Sequence, residues 1–267
     1  MEQPKNNFKL VADKKNARML LPNILTLIGV CIGLTSIRFA LSGEFHLAII
    51  AIIFAALIDG LDGRIARLIK GTSKVGKELD SLTDMISFGV APAFIMYFWK
   101  LNTFGRFGWL LCLVYVICVA LRLARFNISS NQEPSWRDNF FEGVPSPAGG
   151  ILVLTPLIIS LSGFDYIKIN YDIIVPVFFI ATSFLLISKF PTYSFKKIVI
   201  QRKATIFLLF AIVLFFGLLL IYTFNVIAIS SIIYLSLIPI SFFHYQKMKK
   251  IHENDKIQDE DDLEDVL

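Results

Sequence analysis

Residues 57–84 read LIDGLDGRIARLIKGTSKVGKELDSLTD and place Asp59, Asp62, Asp80 and Asp84 between two long apolar stretches. An ionised carboxylate at membrane depth costs at least about 2.5 kcal/mol, so such acids usually face a protein interior or a watery cavity. Because a helix turns about 100° per residue, the first two aspartates share one helix face and the last two share another. We predict that the two acidic faces meet.

Small residues accompany the aspartates on both faces. Gly63 and Ala66 lie on the first, and Gly76 and Ser87 lie on the second. Small side chains allow two helix backbones and a ligand to approach one another closely. The linker at residues 67–76 is short and contains glycine, serine and threonine, which favours a tight turn between antiparallel neighbours.

The composition outside this stretch is that of a membrane protein. Of the 267 residues 55% are hydrophobic, and the mean hydropathy is +0.67, far above the values of soluble domains. A helix needs about 20 mainly apolar residues to cross a bilayer. The sequence therefore predicts an all-α, polytopic integral membrane protein. The eight predicted transmembrane helices lie at residues 23–41, 45–66, 79–99, 107–126, 147–163, 172–189, 204–222 and 226–244.

Positive charge predicts the orientation of these helices. If both termini are cytoplasmic, 22 of the 26 lysines and arginines fall on the cytoplasmic side, as the positive-inside rule requires. We predict that both termini and the aspartates face the cytoplasm, and that the protein lies in a bacterial inner membrane.

The four aspartates predict a metal site. Convergent carboxylates repel one another unless a cation neutralises them, and oxygen ligands favour Mg²⁺, Mn²⁺ or Ca²⁺. Basic residues nearby suit a phosphate or pyrophosphate substrate. The alternative is structural: Asp59 and Asp62 could pair with Arg64 or Arg67.

These residues resemble a known signature. The pattern D-x-x-D-G-x-x-A-R-x8-G-x3-D-x3-D, which begins at Asp59 and ends at Asp84, is similar to that of the CDP-alcohol phosphotransferases. The resemblance implies that a CDP-linked lipid transfers its phosphatidyl group to an alcohol with loss of CMP. It also implies that Asp59, Asp62, Asp80 and Asp84 bind metal, and that Asp84 acts as the base for the acceptor hydroxyl.

The same resemblance implies a nucleotide-lipid site. Gly63, Arg67 and Ser73 would contact the CDP group, and Asn23 and Thr26 in the segment PNILT would line its pocket. Asparagine and threonine at the entrance of a span are also typical helix caps, which leaves a structural alternative for that segment.

Two later segments concern the acceptor. RLARFN at residues 122–127 and FFEGVPSPAGG at residues 140–150 resemble the phosphatidylserine synthase branch of the family, which implies L-serine as the acceptor. Arg122 and Arg125 share a helix face and could bind the serine carboxylate. Their alternative role is to anchor the helix at the membrane interface.

Composition and the resemblance together set the predicted domain boundaries. Residues 1–21 form an amphipathic segment with an interfacial helix, residues 22–190 the family core, residues 191–245 two additional transmembrane helices, and residues 246–267 an acidic, disordered cytoplasmic tail.

The predicted partners are CDP-diacylglycerol, L-serine and membrane lipids, with no nucleic acid, and the resemblance implies a homodimer. Two alternatives stay open. Another acceptor, namely glycerol phosphate, inositol, inositol phosphate or choline, is the first, and Lys189, Lys196 and Lys197 could serve a phosphorylated acceptor. A transporter for a divalent cation or an anion could use the aspartates as its ion site, although transporter sites lie typically near the bilayer midplane on repeated halves.

Overall fold

The computed structural model describes residues 14–69, 73–129, 140–163, 169–193 and 202–264. Nine α-helices, one π-helical segment, one 3₁₀ turn and two short strands occur in this part of the chain. They are α1 (Lys14–Leu41), α2 (Phe45–Leu68), α3 (Lys74–Asp84), the π-helical segment (Met85–Val90), α4 (Ala91–Trp99), the 3₁₀ turn (Leu101–Phe104), α5 (Arg106–Ser129), β1 (Phe140–Glu142), α6 (Ser146–Leu161), α7 (Tyr171–Ile187), β2 (Pro191–Tyr193), α8 (Arg202–Ile221) and α9 (Thr223–Glu264).

The helices confirm an all-α, polytopic membrane protein. Five helical stretches among the described residues are long and apolar enough to span a bilayer: Leu20–Leu41, Phe45–Leu68, Val75–Trp99, Arg106–Ile128 and Thr223–Lys249. Three shorter apolar helices, Ser146–Leu161, Tyr171–Ile187 and Thr205–Ile221, occupy the positions of the other three predicted spans.

Close packing of α1 against α2 and against the third span builds one wall of the bundle. The turn between α1 and α2 contains Gly43 at φ 79°, a left-handed conformation that favours glycine. Further along α1, a Cβ on Gly33 would lie 2.5 Å from the Ser87 Oγ. Because glycine lacks this atom, α1 passes directly against the segment that follows Asp84.

The third span changes its helical pitch immediately after Asp84. Residues 85–90 form π-helix, and Ser87, Phe88 and Gly89 are buried. Pro92 lacks the N–H that would bond to the Phe88 carbonyl in a regular α-helix, and the Tyr115 hydroxyl donates to that carbonyl at 2.7 Å. The sequence analysis did not predict this segment. π-helical turns of this kind frequently occur at functional sites.

A small sheet joins two distant parts of the chain. β1 pairs antiparallel with β2, with Phe140 opposite Tyr193, and the Thr192 hydroxyl donates to the Gly143 carbonyl at 2.8 Å. This pairing places the start of α6 beside the end of α7. α6 begins at Ser146 with a proline in its first turn.

An ion pair joins two helix ends on the side of the bundle opposite the aspartates. Lys100 Nζ, which follows α4, lies 2.9 Å from Asp172 Oδ1 at the start of α7. Trp99 and Tyr171 pack edge to face beside this ion pair. These contacts join the end of α4 to the start of α7.

The two ends of the chain differ in how they relate to the predictions. The predicted interfacial helix falls mainly on residues 1–13, outside the described residues, and α1 continues through Pro22 without a break. The tail was predicted to be disordered from residue 246, whereas the backbone of α9 is helical to Glu264. Residues 246–264 contain no proline or glycine and are rich in good helix formers, which explains why the helix continues.

Candidate active site

The two acidic helix faces meet at one end of the bundle. Asp59 and Asp62 lie in the last three turns of α2, and Asp80 lies in the second turn of α3. One carboxylate oxygen from each of these three residues lies within 4.8 Å of the others. The predicted convergence is therefore present, although it joins three of the four carboxylates most closely.

Asp84 lies one helical turn beyond Asp80 and deeper in the bundle. Its closest electrostatic neighbours are Asp59, Asp80 and the guanidinium of Arg122. Its Oδ1 atom is buried and has no hydrogen-bond partner among the described residues. A buried acceptor without a partner is rare in native proteins and points to a missing ligand or proton donor.

The aspartate cluster (Asp59, Asp62, Asp80 and Asp84) fits a divalent cation. Two carboxylates at such separations repel by roughly 3 kcal/mol at an effective dielectric constant of about 20. The arginines do not neutralise them: within the described ranges, neither Arg64 nor Arg67 lies within ion-pair distance of Asp59 or Asp62. The predicted structural salt bridges are therefore absent there, and the all-oxygen donor set is that of a hard divalent metal.

A cavity of about 490 Å³ opens on one side of the cluster. Asn23, Thr26, Gly63 and Ser73, four of the five residues predicted to bind the CDP-lipid, line it. The Thr26 hydroxyl lies 2.7 Å from Asp62 Oδ2 and 3.0 Å from the Pro22 carbonyl. Asn23 and Thr26 are interior positions of α1, which excludes the alternative that they cap a helix.

The two glycines of the cavity have different surroundings. A Cβ on Gly63 would meet nothing within 4 Å, whereas a Cβ on Gly76 would lie 3.0 Å from Asn23 Oδ1 and 3.1 Å from Ser73 Oγ. Ser73 caps α3, because its side chain accepts a hydrogen bond from the Gly76 N–H at 2.9 Å. Gly63 thus leaves space at the cavity wall, and Gly76 allows α3 to approach α1.

Arg67 is the exception among the predicted nucleotide-lipid residues. Its side chain is exposed, and its Nε donates to the Gly63 carbonyl at 3.0 Å. It is not among the residues that line the cavity. Its contact with a CDP group remains a prediction.

A second cavity of about 210 Å³ lies on the other side of the cluster, between α2, α3, α5 and the start of α6. Asp59, Asp80, Asp84 and Arg122 line it. The two cavities share Gly63, Lys77 and Asp80 in their linings.

The two arginines of α5 have different surroundings and different hydrogen-bond partners. Arg122 is only 8% exposed, and its Nη1 donates to the Ser146 hydroxyl. Arg125 Nη1 donates instead to the Ile187 carbonyl at 2.7 Å, at the end of α7, and Arg125 is not among the residues that line the second cavity. Serine binding remains a prediction for both residues, and the geometry favours Arg122.

Three polar residues of the site, namely Ser81, Asn127 and Ser146, were not predicted from the sequence. Ser81 and Asn127 exchange hydrogen bonds, with the amide nitrogen 2.9 Å from the hydroxyl, and Lys77 Nζ donates to the Asn127 carbonyl at 3.3 Å. Ser146 is also part of the site through Arg122. Ser81 lies one residue after Asp80, and Ser146 lies between two prolines, but neither position signals which helix it faces.

The fold and the site together define an all-α integral membrane protein with an acidic, metal-type site at one end of its helix bundle, flanked by two cavities. The family model described as CDP-alcohol phosphatidyltransferase matches residues 19–178. The chain belongs to this family, which confirms the resemblance given by the signature.

Several curated relatives carry one name. Proteins called CDP-diacylglycerol–serine O-phosphatidyltransferase from Mycobacterium leprae, Helicobacter pylori strain 26695 and Bacillus subtilis are 43%, 37% and 32% identical to this chain, over 175, 201 and 177 residues. The matches cover 64%, 75% and 66% of this chain. They span 57% of the M. leprae protein, 83% of the H. pylori protein and 92% of the B. subtilis protein.

Proposed function

We propose that this protein transfers the phosphatidyl group of CDP-diacylglycerol to the hydroxyl of L-serine, which gives phosphatidylserine and CMP. The observation that carries the proposal is the aspartate cluster between two cavities. The larger cavity is lined by predicted nucleotide-lipid residues, and the smaller contains a buried arginine suited to an amino-acid carboxylate. The shared name of the relatives supports serine as the acceptor.

A divalent metal fits the reaction and the cluster. Asp59, Asp62 and Asp80 would hold it, with Asp84 at its edge, and the oxygen donors suit Mg²⁺, Mn²⁺ or Ca²⁺. When bound, it neutralises the cluster and stabilises the negative charge that develops on the diphosphate oxygens. The protein contributes rigid placement, since all four aspartates lie on α2 and α3, which both pack against α1.

Asp84 is the proposed general base. An aliphatic hydroxyl is a poor nucleophile at neutral pH, so a carboxylate must accept its proton during the attack. The serine oxygen forms a bond to the phosphatidyl phosphorus, and the bond from that phosphorus to the CMP oxygen breaks. The proton passes to Asp84, whose buried Oδ1 has no other hydrogen-bond partner among the described residues.

The membrane supplies one substrate and the aqueous phase the other. We place the site at the cytoplasmic face of a bacterial inner membrane, on the basis of the lysine and arginine distribution. Lipid would then reach the larger cavity from the bilayer, and serine would reach the smaller one from the cytoplasm. The homodimer implied by the family resemblance is part of this proposal.

Gly63→Val is expected to block the larger cavity without unfolding the protein. The new side chain meets no atom of the protein within 4 Å at its Cβ, and valine has a somewhat higher helix propensity than glycine. We expect the KM for CDP-diacylglycerol to rise more than about tenfold, since an obstructed pocket costs at least about 1.4 kcal/mol of binding. Kinetics at saturating serine measure this.

Gly60→Val is the matched control for this substitution. Gly60 also has open space around its Cβ, lies on the same helix, and does not line either cavity. Equal lipid KM values in the two variants would contradict the placement of the nucleotide-lipid site.

The two arginines of α5 are expected to differ in their effect on serine. Arg122→Ala removes a buried cation that lines the smaller cavity, and loss of a charge-assisted hydrogen bond costs about 1.5–3 kcal/mol. We expect the serine KM to rise by about 10- to 100-fold. Arg125→Ala removes a bond to the end of α7 and is expected to lower thermal stability more than serine affinity. The reverse ranking of the serine KM values would exclude Arg122 as the carboxylate partner.

One assay tests the proposed function directly. Purified protein is given CDP-diacylglycerol and divalent metal, and CMP release is measured with L-serine, glycerol phosphate, inositol, inositol phosphate or choline in turn. We expect release with serine and a product with a serine headgroup. CMP release with another alcohol, but not with serine, would identify that alcohol as the acceptor. Ion uptake into vesicles without CMP release would support the transporter alternative instead.

A further inference from the structure

Two residues that line the smaller cavity, Arg122 and Ser146, belong to a polar cluster built from four elements. The Arg122 cluster consists of Arg122 on α5, Ser146 on α6, Thr192 on β2 and Tyr234 on α9. The first three are at least nine-tenths buried, and Tyr234 is packed with Val144, Ala148 and Ile238. Tyr234 lies outside residues 19–178, so a helix beyond the matched family region contributes to the surroundings of the site.

Two atoms of this cluster have no hydrogen-bond partner among the described residues. They are the Nε of Arg122 and the hydroxyl of Tyr234, and both are buried. Arg122 donates to the Ser146 hydroxyl through Nη1 and not through Nε, and the Thr192 hydroxyl donates to the Gly143 carbonyl. Buried donors without partners in a native fold call for a ligand or ordered water.

The two residues belong to the same part of the fold. Tyr234 packs against the cluster of Val144, Leu152 and Ile238, and Val144 lies two residues before Ser146, which accepts a hydrogen bond from Arg122. An anionic group is the natural complement of a buried guanidinium, and a carboxylate has two oxygens that accept from two separate donors.

We propose that Tyr234 and Arg122 together bind the carboxylate of the acceptor, with the Tyr234 hydroxyl donating to one oxygen and Arg122 Nε to the other. This inference rests on the proposed function and deepens it, since it assigns the acceptor to the carboxylate-bearing alcohols. It gives α9 a role in specificity. Choline and inositol lack the carboxylate and leave both donors unpaired.

Tyr234→Phe tests the proposal, because it removes the hydroxyl and keeps the ring that packs against α6. The wild-type hydroxyl has no hydrogen bond of normal geometry within the described residues, so the fold is expected to be retained. We expect the KM for L-serine to rise by about 10-fold or more, as for loss of a hydrogen bond to a charged group. The kcat and the KM for CDP-diacylglycerol are expected to stay near wild-type values. Tyr222→Phe, at an exposed tyrosine just before α9, is the matched control.

A second measurement uses the unaltered protein. Ethanolamine has the hydroxyl and the amino group of serine but no carboxylate, so it is expected to compete with L-serine far more weakly in wild type than an amino acid does. Tyr234→Phe is expected to reduce this discrimination. Equal competition in wild type, or an unchanged serine KM in Tyr234→Phe, would overturn the assignment while leaving serine-dependent CMP release intact. Absence of that release in wild type would refute the proposed function itself, and this inference with it.

Discussion

Asp84→Asn is expected to abolish phosphatidyl transfer while leaving the protein folded. Asparagine has nearly the same shape as aspartate but does not accept the proton of the acceptor hydroxyl, and general bases contribute about 10²- to 10⁴-fold to rate. We expect kcat to fall within or beyond this range. Serine-dependent CMP release by the purified variant at neutral pH measures the loss.

Controls must show that this loss of activity does not come from a loss of folding or of metal binding. Asp172→Asn is the matched control, because Asp172 is an exposed aspartate in the ion pair with Lys100 on the opposite side of the bundle. We expect it to keep wild-type activity. The Asp84→Asn variant should keep the elution profile and melting temperature of wild type in detergent. Turnover near the wild-type rate at neutral pH would refute the role of Asp84 as the base.

Removal of divalent cations is expected to abolish CMP release completely and reversibly. Without them, the carboxylates of Asp59, Asp62 and Asp80, which converge within 4.8 Å, repel one another and the diphosphate of the substrate. We expect chelation with EDTA to stop the reaction and addition of Mg²⁺, Mn²⁺ or Ca²⁺ to restore it. The assay also ranks the three ions, whose order the donor set does not determine.

Asp62→Asn tests whether the requirement for divalent metal comes from the aspartate cluster. Asp62 is 3% exposed and is held by the Thr26 hydroxyl at 2.7 Å. Replacing a residue that supports a metal ligand lowers metal affinity by about 10- to 100-fold. Replacing a ligand itself is expected to lower the affinity by at least as much. The metal concentration for half-maximal activity should therefore rise at least about tenfold. An unchanged metal requirement would remove Asp62 from the metal site.

The sequence predicted the parts of the fold that depend on local pattern. Apolar runs gave the eight helices, because each must satisfy its backbone internally and expose apolar side chains to lipid. The helical repeat placed Asp59 with Asp62 and Asp80 with Asp84, and the tight linker brought the two pairs together. The family signature gave the candidate metal ligands and four of the residues that line the larger cavity.

Other features depend on contacts between distant segments. The pairing of β1 with β2 joins residues about 50 positions apart, and three-residue strands carry no recognisable period. The π-helical segment depends on Pro92 together with Tyr115 from another helix. Arg122 and Arg125 looked equivalent because they share a helix face, and only packing turned one to Ser146 and the other to Ile187.

The sequence by itself therefore determined the membrane class, the helix positions and the acidic residues of the site, because hydropathy and the 3.6-residue period act within one segment. The tertiary structure decided which arginine lines the cavity beside the aspartates, how Gly63 and Gly76 differ, and that Tyr234 of α9 packs against Val144 and Leu152 near the start of α6. These depend on the distance between side chains of separate helices, and packing fixes that distance only when the whole bundle is assembled.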